Sequence, residues 1–310
     1  MTHSNRWMFR TASMAAALVV ILAPAASWGA DPMDRVDPEA EKDAVKLSVK
    51  GADASDKLQH ERALQLHRTA LKNRIALDDA AGAVLELHNV AVDLMRLDRG
   101  DMAQLRIDDA FEIYKEELAM GLGREKDPAM QEAMARVNLL YAVMLLERGS
   151  NSDADKAAAE AMGYCKAAKC GFKSRILNLQ GRIAMALGDM DAAGEAAAKA
   201  LKEEKTEDDR VEAANSHRLL AYVAESKGEA EKSIELFKKA LATDRSLGLG
   251  RKIVMDLLGL AKAFKAKGDS GLASTFAQRA PVVANANEYE AGARQATEIL
   301  ESAVPEDQTQ

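Results

Sequence analysis

Between about residue 80 and residue 283, apolar and small residues recur at helical spacing, and glycines interrupt the runs at regular intervals. Three segments align on such a glycine. LNLQGRIAMALGDMDAAGEAAAKAL turns at Gly188, HRLLAYVAESKGEAEKSIELFKKAL at Gly228 and LLGLAKAFKAKGDSGLASTFAQRAP at Gly268, forty residues apart each time. A fourth, NLLYAVMLLERGSNSDADKAAAEAM, turns at Gly149, thirty-nine residues earlier. Seven places before the glycine stand Ala142, Gly181, Ala221 and Ala261; five after it, Ala154, Ala193, Ser233 and Ala273; twelve after it, Ala161, Ala200, Ala240 and Ala280. Small side chains at fixed points let paired helices approach closely, and glycine supplies the backbone angles that end the first helix of each pair. The pattern predicts a helical hairpin, repeated and stacked.

The flanks are less regular. A copy surrounds Gly100, with HNVAVDLMRL before it and MAQLRIDDAFEIY after it, and its turn reads two residues longer. Ala54 to Ala80 reads as one long amphipathic helix through Leu58, Leu64, Leu71 and Ile75, a cap or half repeat. Asp31 to Asp53, with Pro32, Pro38 and Gly51, reads as linker with one weak helix. Ala284 to Val304 reads as a closing helix and residues 305–310 as a disordered tail, which gives a repeat domain over 54–304.

The order of small residue, glycine at the turn, then alanine, bulky residue, alanine and leucine resembles the tetratricopeptide repeat. The forty-residue period, and AFEIYKEELAMGLGREKDPAMQEAMARVNLLYAVMLLERG from Ala110 to Gly149, resemble the lengthened repeats of kinesin light chains rather than the standard unit. The resemblance covers residues 80–283. It implies an all-α, right-handed superhelical solenoid of antiparallel helix pairs, about five pairs with capping helices at both ends.

Composition agrees, since aromatics are scarce (4%) where a sheet sandwich would need them. The first thirty residues are set apart: Arg6 and Arg10 precede the apolar run Met14–Ala23, then Pro24 and small residues to Ala30. That is the layout of a secretory signal, too short to span a bilayer comfortably, so a periplasmic or secreted protein with no stable membrane anchor after cleavage is expected. Removing two arginines and no acids takes the net charge from -7 to -9. An acidic chain is a poor nucleic-acid binder.

Catalytic signatures are missing: there is no HExxH, GxxxxGK, GxSxG or GxGxxG after a strand. GLGREK (121–126) and GLGRK (248–252) fall between predicted helices and read as loops. His60 and His67 stand seven apart, too far along a helix to share a zinc ion, and His88 and His217 are single. No enzyme activity, cofactor or metal is expected.

The first helix of each pair should line the concave side of the superhelix. Ten before the glycine stand Asn178, Arg218 and Leu258; six before, Arg182, Tyr222 and Lys262; thirteen before, Arg175, Asn215 and Met255; three before, Met185, Glu225 and Lys265. The face is polar and net basic in an acidic protein. In kinesin-light-chain-like repeats the asparagine ten before the glycine reaches the backbone of a bound extended peptide, a place matched by Asn178 and missed by one step by Asn89 and Asn138. Arg175, Arg182 and Arg218 add forked donors for carboxylates. The expected partner is another protein or a peptide, held by a non-catalytic scaffold of the bacterial cell envelope. A solute- or lipid-binding component of an envelope transport system is the alternative, with Leu258 and Met255 as its apolar patch.

GYCKAAKCGF (163–172) holds both cysteines, Cys165 and Cys170. Five apart in an unbroken helix they could not be bridged, but the repeat frame puts them in the turn between repeats. An exported compartment permits that disulfide, with a redox couple as the competing reading. Gly171 stands where a haem-attachment motif needs histidine.

Overall fold

The computed structural model describes residues 38–203 and 209–287, then 289, 290, 292–295 and 297. The expected signal peptide, the first part of the expected linker and the expected tail lie outside the described residues.

Among the described residues there is no strand, and twelve α-helices form six antiparallel hairpins. The hairpins are α1 (Pro38–Asp56) with α2 (His60–Ala76), α3 (Ala80–Arg96) with α4 (Gly100–Met120), α5 (Pro128–Glu147) with α6 (Asn151–Ala168), α7 (Lys173–Ala186) with α8 (Met190–Glu203), α9 (Arg210–Ser226) with α10 (Ala230–Ser246), and α11 (Gly250–Lys267) with α12 (Ser270–Ala286). The first helices also touch one another in order, α1, α3, α5, α7, α9 and α11, forming one row of an all-α, right-handed superhelical solenoid. No helix among the described residues is long and apolar enough to cross a membrane.

Gly149, Gly188, Gly228 and Gly268 all adopt left-handed angles, with φ between 73° and 87°, at the tip of each later hairpin. The small-residue columns around them are buried. Two corrections apply at the front. The Ala54–Ala80 stretch is two helices rather than one, because the chain turns at Leu58 (φ 59°), and the stretch expected as linker is helical from Pro38 to Asp56, pairing with α2. Gly100 is likewise the first residue of α4, while Asp98 (φ 58°) makes the turn.

With the frame set on Leu58 and Asp98, the same columns run through both early hairpins. Gly51, Ala63 and Ala70 stand seven before, five after and twelve after Leu58, and Ala91, Ala103 and Ala110 hold those places around Asp98; all six are buried. The turns at residues 58 and 98 are forty apart, as in the later repeats. The first hairpin is therefore a full repeat. It lacks the glycine that would have announced it.

The surplus length lies between α4 and α5. α4 runs 21 residues to a left-handed Gly121, Gly123 is left-handed again, and a 3₁₀ turn (Arg124–Lys126) leads into α5. Of the two preceding helices α5 packs more on α3 than on α4, and Phe111 of α4 meets the Tyr141 ring of α5 edge-on at 5.6 Å. The core is a succession of apolar clusters, with Leu64, Val84, Leu87 and Ile107 at one end, Leu139, Ile176 and Ile183 then Leu219 and Val223 in the middle, and Phe237, Leu257 and Leu260 at the other.

Cys165 and Cys170 form a disulfide, their Cα atoms 4.9 Å apart. Cys165 sits within the last turns of α6, which extends to Ala168, so only Cys170 is in the inter-repeat turn. Lys169, left-handed at φ 57°, reverses the chain and lets the Cys170 amide donate to the Cys165 carbonyl at 2.9 Å. At the C-terminal end α12 continues to Ala286, so Ala284, expected to start a closing helix, is a buried residue of the sixth hairpin. Helical residues resume at Glu290.

Candidate binding groove

The columns expected along the inner row separate into two sets. Thirteen before the turn, Arg175 is exposed, Asn215 half-buried and Met255 38% exposed; six before it, Arg182 and Lys262 are exposed and Tyr222 half-buried. These columns face the groove, and Lys265 is exposed beside them. The column ten before the turn does not. Asn178, Arg218 and Leu258 are each 4–5% exposed, turned into the joint with the adjacent helices. First helices of neighbouring repeats touch one another, so a residue between the two exposed columns meets the next first helix rather than water.

Asn178 of α7 donates to the Glu212 carbonyl and carboxylate of α9, at 3.0 and 3.1 Å, and accepts from Ser216 at 2.8 Å. Arg175 and Asn215 converge on the same carboxylate, at 3.1 and 3.0 Å. Burial pushes Glu212 up, but the hydrogen bonds of Asn215 and Asn178 and the charge of Arg175 outweigh it and hold the carboxyl below its usual range. The residues matched to a peptide clamp are thus engaged by a carboxylate of the chain itself.

Arg218 is a second such correction. Its Nε donates to Asp256 Oδ1 at 2.7 Å, a terminal nitrogen donates to Asp244, and the other reaches Asn215 at 3.1 Å. Its donors join α9 to α10 and α11, and none is left facing the groove. Asn138 is also buried, its amide donating to the Met134 carbonyl at 2.9 Å, and Asn89 donates to Glu86 at 3.3 Å. The three asparagines form no exposed ladder.

Other cations complete the inner face. Arg136 of α5 stands thirteen before Gly149, in the same column as Arg175, and lies over the Phe172 ring at 4.5 Å. Lys252 of α11 is half-buried. His88 of α3 feels the charges of Arg136 and Arg175, and Lys252 feels those of Glu212 and Arg175. Side chains of first helices two hairpins apart therefore converge, as on the inside of a curved row. Burial first, then these like charges, lower His88 to about 4, so it is neutral near pH 7. Burial lowers Lys252 as well, and the groove walls strip enough water from Arg182 to hold it below the usual arginine range. Arg182 and Lys252 form no ion pair or hydrogen bond with the described residues, and burial raises Tyr222 to about 12. The face is rich in cations, with Glu147 and Glu212 near Arg182, Glu225 near Lys262, and a neutral histidine at one end.

Extending the column of Arg175 to the fourth copy finds Arg136 from sequence alone. Lys252 ends the GLGRK stretch expected as a loop, but residues 250–252 open α11; Lys252 and Glu212 both lie a turn earlier than the columns that the small residues define.

Residues 174–206 match the tetratricopeptide repeat family model. No curated protein sequence matches the chain. Among solved structures it is similar to the APC/C hetero-tetramer Cut9-Hcn1, with a TM-score of 0.65, 15% identity, and coverage of 87% of this chain and 44% of that one. It is also similar to a Rap protein complexed with competence and sporulation factor (0.55, 12%, covering 84% and 74%) and to PilF of Pseudomonas aeruginosa (0.53, 16%, covering 81% and 97%). The chain spans less than half the length of the first of these. At these identities the likeness is one of fold, and the fold is the tetratricopeptide-type solenoid.

Proposed function

We propose that this protein is a non-catalytic scaffold of the bacterial cell envelope whose inner groove holds an extended, acidic segment of another protein. The observation that carries the reading is the strip of Arg136, Arg175, Arg182, Lys252 and Lys262 on the inner face of an acidic chain, in which Arg182 and Lys252 form no ion pair with the described residues. Carboxylates on an extended segment complement that spacing, with guanidinium forks giving directed bonds and the tyrosine a flat contact. The signal-like N-terminus and the Cys165–Cys170 disulfide both favour an exported, oxidising location. A lipid cavity loses a wall, because Leu258 belongs to the core.

The test is crosslinking in envelope extracts with the purified protein and its Arg182→Glu/Lys262→Glu variant. Neither residue forms an ion pair or hydrogen bond with the described residues, so the melting temperature should stay unchanged while one defined crosslinked protein is lost. Native mass spectrometry showing a retained lipid or small molecule, with no protein captured, would overturn the reading.

A further inference from the structure

Arg218 of α9 faces two carboxylates, Asp244 near the end of α10 and Asp256 in α11, and both are 0% exposed. One guanidinium cannot neutralise two buried carboxylates. The other groups around them do not make up the difference. Burial raises the Tyr222 phenol of α9, which stays neutral, and α12 carries one charged side chain, Arg279, which lies over its own Phe276 ring. Lys252 of α11 feels the charge of Asp244, but burial works against its own charge. Asp244 Oδ1 is buried with no hydrogen-bond partner, and the same terminal nitrogen of Arg218 that donates to Asp244 also donates to Asp256 Oδ2 at 3.3 Å, so the two carboxyl groups are gathered side by side. A proton on Asp256 gives that oxygen a donor and leaves one negative charge for Arg218.

We propose that Asp244 and Asp256 share one proton that locks the fifth and sixth hairpins together, making this joint of the solenoid a pH-sensitive hinge. The proposal is independent of what the groove binds. Burial raises Asp256 from the ordinary aspartate value to about 7, with Asp244 adding to the rise and Arg218 opposing it. A carboxyl whose folded pKa is raised contributes stability that is full at acid pH and is lost as pH climbs from about 4 through about 7. The joint therefore tightens in acid and loosens in mild alkali. Arg218 also bonds Asn215, which bonds Glu212, which holds Asn178 and Arg175, so the hinge connects by continuous hydrogen bonds to the groove floor.

The first measurement needs no variant. Carbon-13 spectra of aspartate-labelled protein should show a carboxyl signal titrating between about pH 5.5 and 8, far above the free value; all aspartates ionised by about pH 5 overturns the proposal. The second is hydrogen exchange corrected for intrinsic rate. Protection of α11 and α12 should fall on the order of thirtyfold between about pH 5.5 and 8 while α3 to α6 change little. Asp256→Asn, neutral at every pH, should flatten that response. A pH response in Asp256→Asn equal to the wild type, or uniform along the solenoid, overturns it.

Discussion

The two N-terminal hairpins and the three C-terminal ones use the same columns of buried small residues, yet they make their turns and polar joints from different materials. At the C-terminal end each hairpin turns on a glycine, and Arg218 gathers Asp244 and Asp256 from two neighbouring helices. At the N-terminal end the turns are left-handed Leu58 and Asp98, and the joint is centred on a histidine. His67 of α2 meets Glu86 of α3 at 2.9 Å, while Asp93 of α3 accepts from Ser55 of α1 at 2.6 Å. Gly51 is the small residue that admits the His67 ring, because a Cβ there would lie 2.6 Å from it. Close approach of helices is the fixed requirement of this solenoid, whereas glycine turns and ion pairs are replaceable ways of meeting it.

The largest test of that contrast is at the polar joints. Arg218→Ala leaves two buried carboxylates without their cation and should cost about 3–5 kcal/mol in chemical denaturation, concentrated in α9 to α11 by hydrogen exchange. His67→Ala should cost less, about 1–3 kcal/mol, because Glu86 keeps the Asn89 bond and Asp93 keeps Ser55. Equal losses would show that the two joints carry the same load. Next come the columns. A Cβ on Gly181 would lie 2.3 Å from Leu219 Cδ2 and 3.2 Å from the Ala193 carbonyl, so Gly181→Ala should lose roughly 1–2 kcal/mol despite its better helix propensity. A gain in melting temperature instead would mean that the seam can open without loss.

The smallest test is a swap of turns. Leu58 is 79% exposed and holds a conformation that costs an L-residue about 1 kcal/mol, so Leu58→Gly should stabilise by about that amount. Gly228→Leu should lose a similar amount, and thermal melts of the two variants should move in opposite directions.

The four glycine-framed hairpins were legible because helical period, small-residue columns and a turn glycine coincided there. The first hairpin was hidden although its columns Gly51, Ala63 and Ala70 were in plain view, since Leu58 gives no turn signal and the stretch scans as one amphipathic helix. Of the groove, Arg175, Arg182, Tyr222 and Lys262 were readable by position. Arg218 and Asn178 were misplaced because a column adjacent to the groove-facing ones is buried by the next repeat, a contact that a single repeat's sequence does not contain.

The sequence by itself determined an all-α chain of stacked hairpins, the places where helices come closest, and a disulfide-capable cysteine pair in an acidic chain. Those properties follow from local spacing and residue size. Only the tertiary structure decided which polar side chains face the groove and which tie repeats together. Residues separated by thirty to forty positions, such as Asn178 and Glu212 or Arg218 and Asp256, meet only when one hairpin is laid against the next. Burial at that contact then turns an exposed-looking arginine into the cation of a closed joint, and leaves the groove to its neighbours.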